Sequence, residues 1–157
     1  MRKNIISPVS QEVKPSQSRW IDVENLARVE LSSEDPAHPI ESALSLAAGP
    51  GWLAAQPGAQ TIRFTFDTPV QLRQVYLEFI EKSVSRTQEF VLRWSPDQGQ
   101  TFREIVRQQY NFNPPETSQE KEEYRVDLSG VTVLELSLDP AQGRSDVRAS
   151  LARLLLA

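Results

Sequence analysis

The sequence contains no cysteine and only one histidine among its 157 residues. The missing thiols exclude a disulfide framework, a thiolate metal site and a cysteine nucleophile. A single histidine likewise excludes a zinc site built from several imidazoles. No stretch approaches the roughly 18 consecutive apolar residues that a membrane-spanning helix needs. We therefore expect no membrane insertion.

Positive charge is also scarce, since 17 Lys and Arg residues stand against 21 Asp and Glu residues and the formal net charge is -4. Non-specific binders of nucleic acid normally show the opposite balance, so a nucleic-acid partner is not expected. The N-terminus carries positive charge but lacks the apolar run of a signal peptide. Together with the absence of cysteine, this predicts a cytoplasmic protein.

Residues 1–22 are mostly Ser, Pro, Gln and charged side chains, which predicts a polar N-terminal tail that can dock through Trp20 and Ile21. The folded domain is predicted to span residues 23–157, a length that supports one hydrophobic core. About eight short segments with period-two alternation and turn signals between them predict an all-β fold, an antiparallel sandwich or jelly roll. The expected inward-facing residues are Ile62, Phe64, Val75, Leu77, Phe90, Leu92, Trp94, Leu134, Leu136 and Leu138.

One short helix is expected within this β-rich pattern. Asp35 can cap it and Pro36 suits its first position, and its buried stripe would be Ile40, Ala43, Leu44 and Ala47. The last run, residues 149–157, is ambiguous: helix propensity favours a helix, whereas three consecutive leucines also suit a strand buried on both faces.

The segment from Phe90 to Phe102 is the most specific in the chain. Apolar alternation predicts a strand, Ser95 to Gly99 predicts a turn with Gly99 at positive φ, and Thr101 starts the return strand. The pattern aromatic-Ser-x-Asp-x-Gly-x-Thr-aromatic resembles the central hairpin of the coagulation-factor 5/8 type C, or discoidin, family of galactose-binding-like domains. The resemblance implies a β-sandwich that binds ligands without catalysis, with carbohydrate as the expected ligand class. It also implies a closing strand at residues 149–157 that pairs near the start of the domain.

A second resemblance covers residues 29–44 and the Trp-Leu-Ala-Ala at residues 52–55. These segments are similar to the N-terminal domain of the X-ray cross-complementing DNA-repair scaffold protein. This resemblance implies an alternative function, an intracellular scaffold for protein–protein interaction. Calcium-binding discoidin domains carry two acids before their tryptophan, and the stretch from Ala43 to Trp52 has neither, so we expect no metal and no other cofactor.

The segment Tyr110–Asn113 is the best candidate for ligand binding, because flanking aromatic rings and amides suit the apolar face and the hydroxyls of a sugar. An equally weighted alternative is that Phe112 pins this loop to the core while the asparagines satisfy turn backbone. Two polar side chains from other loops complete the candidate site. The predicted ligand-binding residues are Tyr110, Asn111, Asn113, His38 and Arg144.

Other chemistry-bearing residues have a structural interpretation that we favour. Trp52 and Trp94 are predicted to lie in the core. Arg144 and Asp146 are expected to form a surface salt bridge, and the acidic run from Glu116 to Glu123 is predicted to be a solvated loop. No catalytic triad, phosphate loop or metal-ligand spacing occurs, so no catalytic residue is assigned and an enzyme is not expected.

Overall fold

The computed structural model describes residues 20–47 and 49–157, so the predicted tail lies almost wholly outside the described residues. A short helix α1, Val23–Leu26, is followed by β1, Ala27–Leu31, and by a single 3-10 turn, Ile40–Ala43. The remaining strands are β2 (Trp52–Pro57), β3 (Gln60–Ile80), β4 (Arg86–Ser95), β5 (Arg103–Phe112), β6 (Gln119–Asp139), β7 (Arg148–Leu151) and β8 (Arg153–Leu156). The described helical segments are too short to cross a membrane.

Strands β3 and β6 each run for 21 residues and pair antiparallel from Gln60↔Leu138 to Ile80↔Gln119. The register breaks between Thr65 and Gln74, where both strands pass from one layer to the other. Their first pairing region belongs to a layer ordered β1-β3-β6-β4-β5, and the second part of β3 also pairs with β8. Strands β2 and β7 form a separate two-stranded ribbon. The predicted antiparallel sandwich is confirmed.

The core fills the space between the two layers. Phe90 of β4 is 1% exposed, and its ring stacks on Phe79 of β3 with centroids 5.4 Å apart and meets Tyr124 of β6 at 6.4 Å. All ten residues predicted to face inward are buried, with none more than 8% exposed. Period-two alternation therefore identified the core-facing rows correctly.

The predicted hairpin joins β4 and β5, and Gly99 has the expected positive φ of 88°. The polar residues of its sequence pattern form hydrogen bonds within the turn. Ser95 Oγ accepts the N–H of Gly99 at 2.9 Å, and Asp97 Oδ1 accepts the N–H of Thr101 at 2.9 Å. The hydroxyls of Ser95 and Thr101 also donate to Asp97 and lower its pKa to about 2. The turn is fixed by these short polar side chains.

The outer face of the larger layer buries one charge. Glu135 is 2% exposed and accepts hydrogen bonds from the guanidinium groups of Arg63 and Arg93. The ring of Phe102 lies 5.5 Å and 4.8 Å from these two guanidinium carbons. Burial alone would raise the pKa of Glu135, but the two arginines hold it below its ordinary value. The Phe102 ring therefore packs against both arginines that pair with Glu135.

The helix predicted after Asp35 is much shorter in the structure. Residues 40–43 form one 3-10 turn, and Ala47, expected to be buried, is exposed. Pro39 is the cause, because it adopts an extended conformation with ψ of 158° and disfavours helical geometry in the residue before it. Ile40 and Ala43 nevertheless reach the core.

The ambiguous C-terminal run is extended, in two short strands separated at Ala152. β7 pairs with β2 and β8 pairs with β3, so the ladder partner of the last strand is not the start of the domain. The start does reach it at one point, where the N–H of Ile21 donates to the carbonyl of Leu156 at 2.7 Å. The ring of Trp20 lies 6.5 Å from that of Tyr76, as expected for a docking contact.

Replacing Phe90 by Ala should lower the free energy of unfolding by about 3–5 kcal/mol, because the cavity cannot close between two packed layers. Val91→Ala is the matched control, since Val91 lies next to it on the half-exposed outer face and should lose only about 1 kcal/mol. Urea denaturation measures both. Equal losses for the two variants would contradict the assigned core face.

Candidate functional site

Four connections meet at one end of the sandwich, at residues 32–39, 81–85, 113–118 and 140–147. The N–H of Glu81 donates to the carbonyl of Ser118 at 2.8 Å, and Arg144 Nη1 donates to the carbonyl of Ser85 at 3.3 Å. The β3–β4 loop, residues 81–85, therefore lies at the centre of this end. Loops carried by a rigid scaffold are where binding residues usually occur.

A cleft of about 410 Å³ opens beside the β3–β4 loop. That volume lies within the range of about 300–1,000 Å³ typical of small-molecule sites. Its lining combines three polar side chains, His38, Lys82 and Ser150, with apolar ones, Trp52, Leu53 and Ile80. Ile80 is one of two large apolar residues that are exposed in the described chain, at 39%. Polar groups thus converge beside an accessible apolar surface.

His38 lies beside a carboxylate. Its Nδ1 lies 3.5 Å from Asp35 Oδ1, while Asp35 Oδ2 accepts a hydrogen bond from Arg148 at 3.2 Å. The N–H of Ala37, together with His38 and Arg148, holds the pKa of Asp35 below its ordinary value. Because Nδ1 faces the carboxylate, Nε2 is the nitrogen that remains for a ligand, as a hydrogen-bond acceptor in the neutral ring.

Trp52 does not offer a stacking surface. Its side chain is 1% exposed, and its Nε1 donates to the carbonyl of Ser33 at 3.2 Å. The indole forms the wall between the core and the cleft. The predictions that Trp52 and Trp94 lie in the core are both confirmed.

Glu81 shapes the β3–β4 loop. Its Oε2 accepts the N–H groups of Ser83 at 3.0 Å and Val84 at 3.2 Å, and its Oε1 accepts from Arg86 Nε at 2.7 Å. Burial alone would raise the pKa of Glu81, but these hydrogen bonds and the Arg86 charge lower it below its ordinary value. An ionised carboxylate at the start of the loop therefore fixes the backbone on both sides of Lys82.

Arg86 anchors the neighbouring segments. Its side chain is 1% exposed, and Nη1 donates to Gln88 Oε1 at 3.0 Å and to the carbonyl of Pro140 at 2.7 Å. Its guanidinium carbon also lies 4.6 Å from the ring centre of Phe112. One buried cation thus joins the β3–β4 loop, the β6–β7 connection and the end of β5.

The same network reaches a buried carboxyl group. Glu120 is 2% exposed, its Oε1 lies 3.4 Å from Gln88 Nε2, and its Oε2 has no hydrogen-bond partner within the described chain. Burial, together with the neighbouring Glu122, raises the pKa of Glu120 to about 8. The expectation that Glu116–Glu123 forms a solvated loop is wrong for this residue, because β6 begins at Gln119 and turns Glu120 inward.

The predicted site residues Tyr110 and Asn111 lie at the end of β5 and not in a loop. The Tyr110 hydroxyl donates to the carbonyl of Gln119 at 2.9 Å, and its ring packs 4.9 Å from that of buried Phe112. The Asn111 amide oxygen accepts from the Thr87 hydroxyl at 2.8 Å. The Tyr110 hydroxyl and the Asn111 amide oxygen therefore have protein partners, and Phe112 is buried as the alternative interpretation expected.

Asn113 and Arg144 lie together on the other side of the β3–β4 loop. Asn113 Oδ1 accepts from the Ser85 hydroxyl at 3.0 Å, and Arg144 also forms the predicted ion pair with Asp146, with bonds of 3.0 and 2.9 Å. His38 lies in the cleft beside Lys82 of the same loop. The fold thus brings three of the five predicted residues to one end of the domain. Their contact with a ligand stays a prediction.

Lys82 and Ile80 are site residues that sequence analysis missed. Ile80 ends the outward-facing row of β3, and Lys82 follows it in a short polar loop without any pattern. The available signal in the sequence was an isoleucine at the end of a predicted strand, next to a polar loop. No group of three or more potential metal ligands occurs among residues 20–47 and 49–157.

No protein-family profile and no curated protein matches the chain. Solved structures do. The third family 32 carbohydrate-binding module of a family 31 glycoside hydrolase from Clostridium perfringens aligns with a TM-score of 0.64 and 16% identity, covering 92% of this chain and 98% of that module. The corresponding module of AlyQ, bound to 4,5-unsaturated mannuronic acid, aligns at 0.60 and 15% over 84% and 95% of the two chains. The C. perfringens NanJ module, bound to galactose, aligns at 0.56 and 12% over 83% and 92%.

These likenesses show the fold, which is the galactose-binding-like sandwich of those modules. The expected galactose-binding-like β-sandwich is therefore confirmed, and the assignment to the discoidin family stays a prediction. The resemblance to the DNA-repair scaffold domain stays a prediction.

Replacing Glu120 by Gln should stabilise the chain more at pH 8 than at pH 5. The ordinary pKa of a glutamate is 4.5 and that of folded Glu120 is about 8, so between these values the unfolded chain has lost a proton that the folded chain keeps. Stability therefore falls as pH rises through this window, and a neutral amide removes the loss. Thermal melts at the two pH values measure it.

Glu116→Gln is the matched control, because Glu116 is exposed and should show no such pH difference. A melting temperature of the Glu120 variant that tracks the native chain at both pH values would mean that Glu120 is ionised and solvated.

Proposed function

We propose that this chain is a non-catalytic carbohydrate-binding module and that the cleft beside the β3–β4 loop is its sugar site. The observation that carries the proposal is the convergence of His38, Lys82 and Ser150 beside exposed Ile80 at the loop end of this sandwich. Pyranose rings present hydroxyl groups at the edge and C–H groups on a face. A polar rim beside an apolar surface is the matching arrangement.

The roles follow from the chemistry of each group. His38 can form a hydrogen bond with a sugar hydroxyl at Nε2, because its Nδ1 faces Asp35 on the other side. The Lys82 ammonium donates to ring oxygens or hydroxyls, and the Ser150 hydroxyl can do either. Ile80 contacts the C–H face of the ring. The likeness to modules that bind sugars supports this assignment.

Catalysis is not part of the proposal. Glycoside hydrolysis needs two carboxyl groups flanking the bond to be cleaved, and none of the described residues that line the cleft is Asp or Glu. The close pair Glu120 and Glu122 lies on one face of β6 inside the sandwich. A protein-interaction scaffold is less well supported, since the large exposed apolar residues of the described chain are only Leu26 and Ile80.

His38→Ala should weaken binding of the glycan identified by an array about tenfold or more, since a well-placed polar contact is worth about 1.5 kcal/mol. Isothermal titration calorimetry measures it, and an unchanged melting temperature shows that the fold is intact. Arg107→Ala is the control, because Arg107 is exposed on β5 and does not line the cleft. Equal affinity of the His38 variant and the native chain would place the sugar elsewhere.

Asn113 and Arg144 would contact a second sugar unit across the β3–β4 loop. Arg144→Ala should therefore weaken binding of an oligosaccharide severalfold and leave binding of the corresponding monosaccharide unchanged, since one charge-assisted contact is lost. Calorimetry with both ligands checks this. An equal loss for both would assign Arg144 to the structure of the loop.

A further inference from the structure

Lys82 carries a charge that the protein does not neutralise. Eight ion pairs join arginines of the described chain to carboxylates within 4 Å, and none includes Lys82. Its side chain also has no hydrogen-bond acceptor among residues 20–47 and 49–157. Arg73, Lys121, Arg125 and Arg153 are outside these ion pairs as well, and Lys82 differs from them in lining the cleft.

The cleft adds no negative charge of its own. Lys82 is the one formally charged residue of its described lining, which contains no Asp or Glu, and the carboxylate beside His38, that of Asp35, is paired with Arg148. Glu81 lies next to Lys82 in sequence, yet its two oxygens are occupied by Arg86 and by the N–H groups of Ser83 and Val84. The local potential at the cleft is therefore positive.

We infer that the cleft selects an acidic glycan, one that carries a uronic-acid carboxylate, and that Lys82 binds this carboxylate. The inference rests on the proposed function and specifies its ligand class. Glu81 fixes the backbone next to Lys82, so the Lys82 side chain leaves the loop from a defined point. The pairing of an ammonium with a carboxylate forms charge-assisted hydrogen bonds, about twice as strong as neutral ones.

A hexuronate fits the other groups of the cleft as well. Its ring keeps the hydroxyls that His38 and Ser150 can bind and the C–H face that Ile80 can contact. Only the carboxylate distinguishes it from a neutral hexose, and only Lys82 among these four residues carries a permanent positive charge. The choice between acidic and neutral sugar therefore depends on one side chain.

The test compares two probes of equal length, a tetragalacturonate and its full methyl ester, by calorimetry on the full chain. The native chain should bind the acid at least about tenfold more tightly, and raising NaCl from about 50 to about 500 mM should remove most of this difference. Lys82→Met should weaken binding of the acid about tenfold and weaken binding of the ester much less, because only the acid loses a charge-assisted contact. Lys121→Met is the matched control, because Lys121 is the other described lysine, is exposed and does not line the cleft.

Lys82 is exposed, so its replacement should not alter the melting temperature. Equal affinity for acid and ester, or an unchanged affinity of the Lys82→Met variant for the acid, would overturn the inference and leave the sugar site standing. Binding of neutral glycans alone on an array would do the same. Failure to bind any glycan would overturn the proposed function together with this inference.

Discussion

The antiparallel pairing of β3 with β6 determines where every other part of the domain lies. The two strands are paired almost end to end, and both cross from one layer to the other near the register breaks after Thr65. β1, β4 and β5 extend the first layer, and β8 adds to the second. The pair Ile80↔Gln119 ends this ladder, so the loop that follows Ile80 must lie at that end of the sandwich. The position of the cleft is a consequence of strand length.

Arg86 makes the loops around the cleft rigid. Burying a guanidinium is costly unless its charge is paired and its N–H groups have acceptors. Glu81, Gln88 and the carbonyl of Pro140 meet this requirement. Because those partners come from three segments, the loops at this end are fixed relative to one another before any ligand arrives. Such preorganisation lowers the entropy cost of binding.

Local patterns in the sequence sufficed to predict the fold. The hairpin from Phe90 to Phe102 carries its own alternation and its own turn chemistry, and the core rows need only a period of two. The helix after Asp35 was overestimated because Pro39 overrides the apolar spacing. Glu120 was misplaced for a different reason. Alternation continues through an acidic segment there, and only the partner strand reveals which face is inward.

The site was less accessible to sequence reasoning, because its members are distant in the chain. His38 and Lys82 come together only after β3 has crossed both layers, and no spacing rule relates them. The aromatic and amide residues at 110–113 attracted attention as a local cluster. In the structure the Tyr110 hydroxyl bonds to backbone and Phe112 lies in the core, so part of this cluster completes the end of β5. Whether Tyr110, Asn111 and Asn113 contact a ligand stays a prediction.

Net charge and local charge lead to different expectations for the ligand. At physiological ionic strength, charges more than about 8 Å apart are largely screened, so the overall charge of -4 has little influence inside the cleft. There Lys82 is the one formal charge, and the described lining offers no opposing carboxylate. An acidic glycan would therefore gain no electrostatic steering, and its selectivity would appear in the dissociation rate, which reports the contacts made in the cleft.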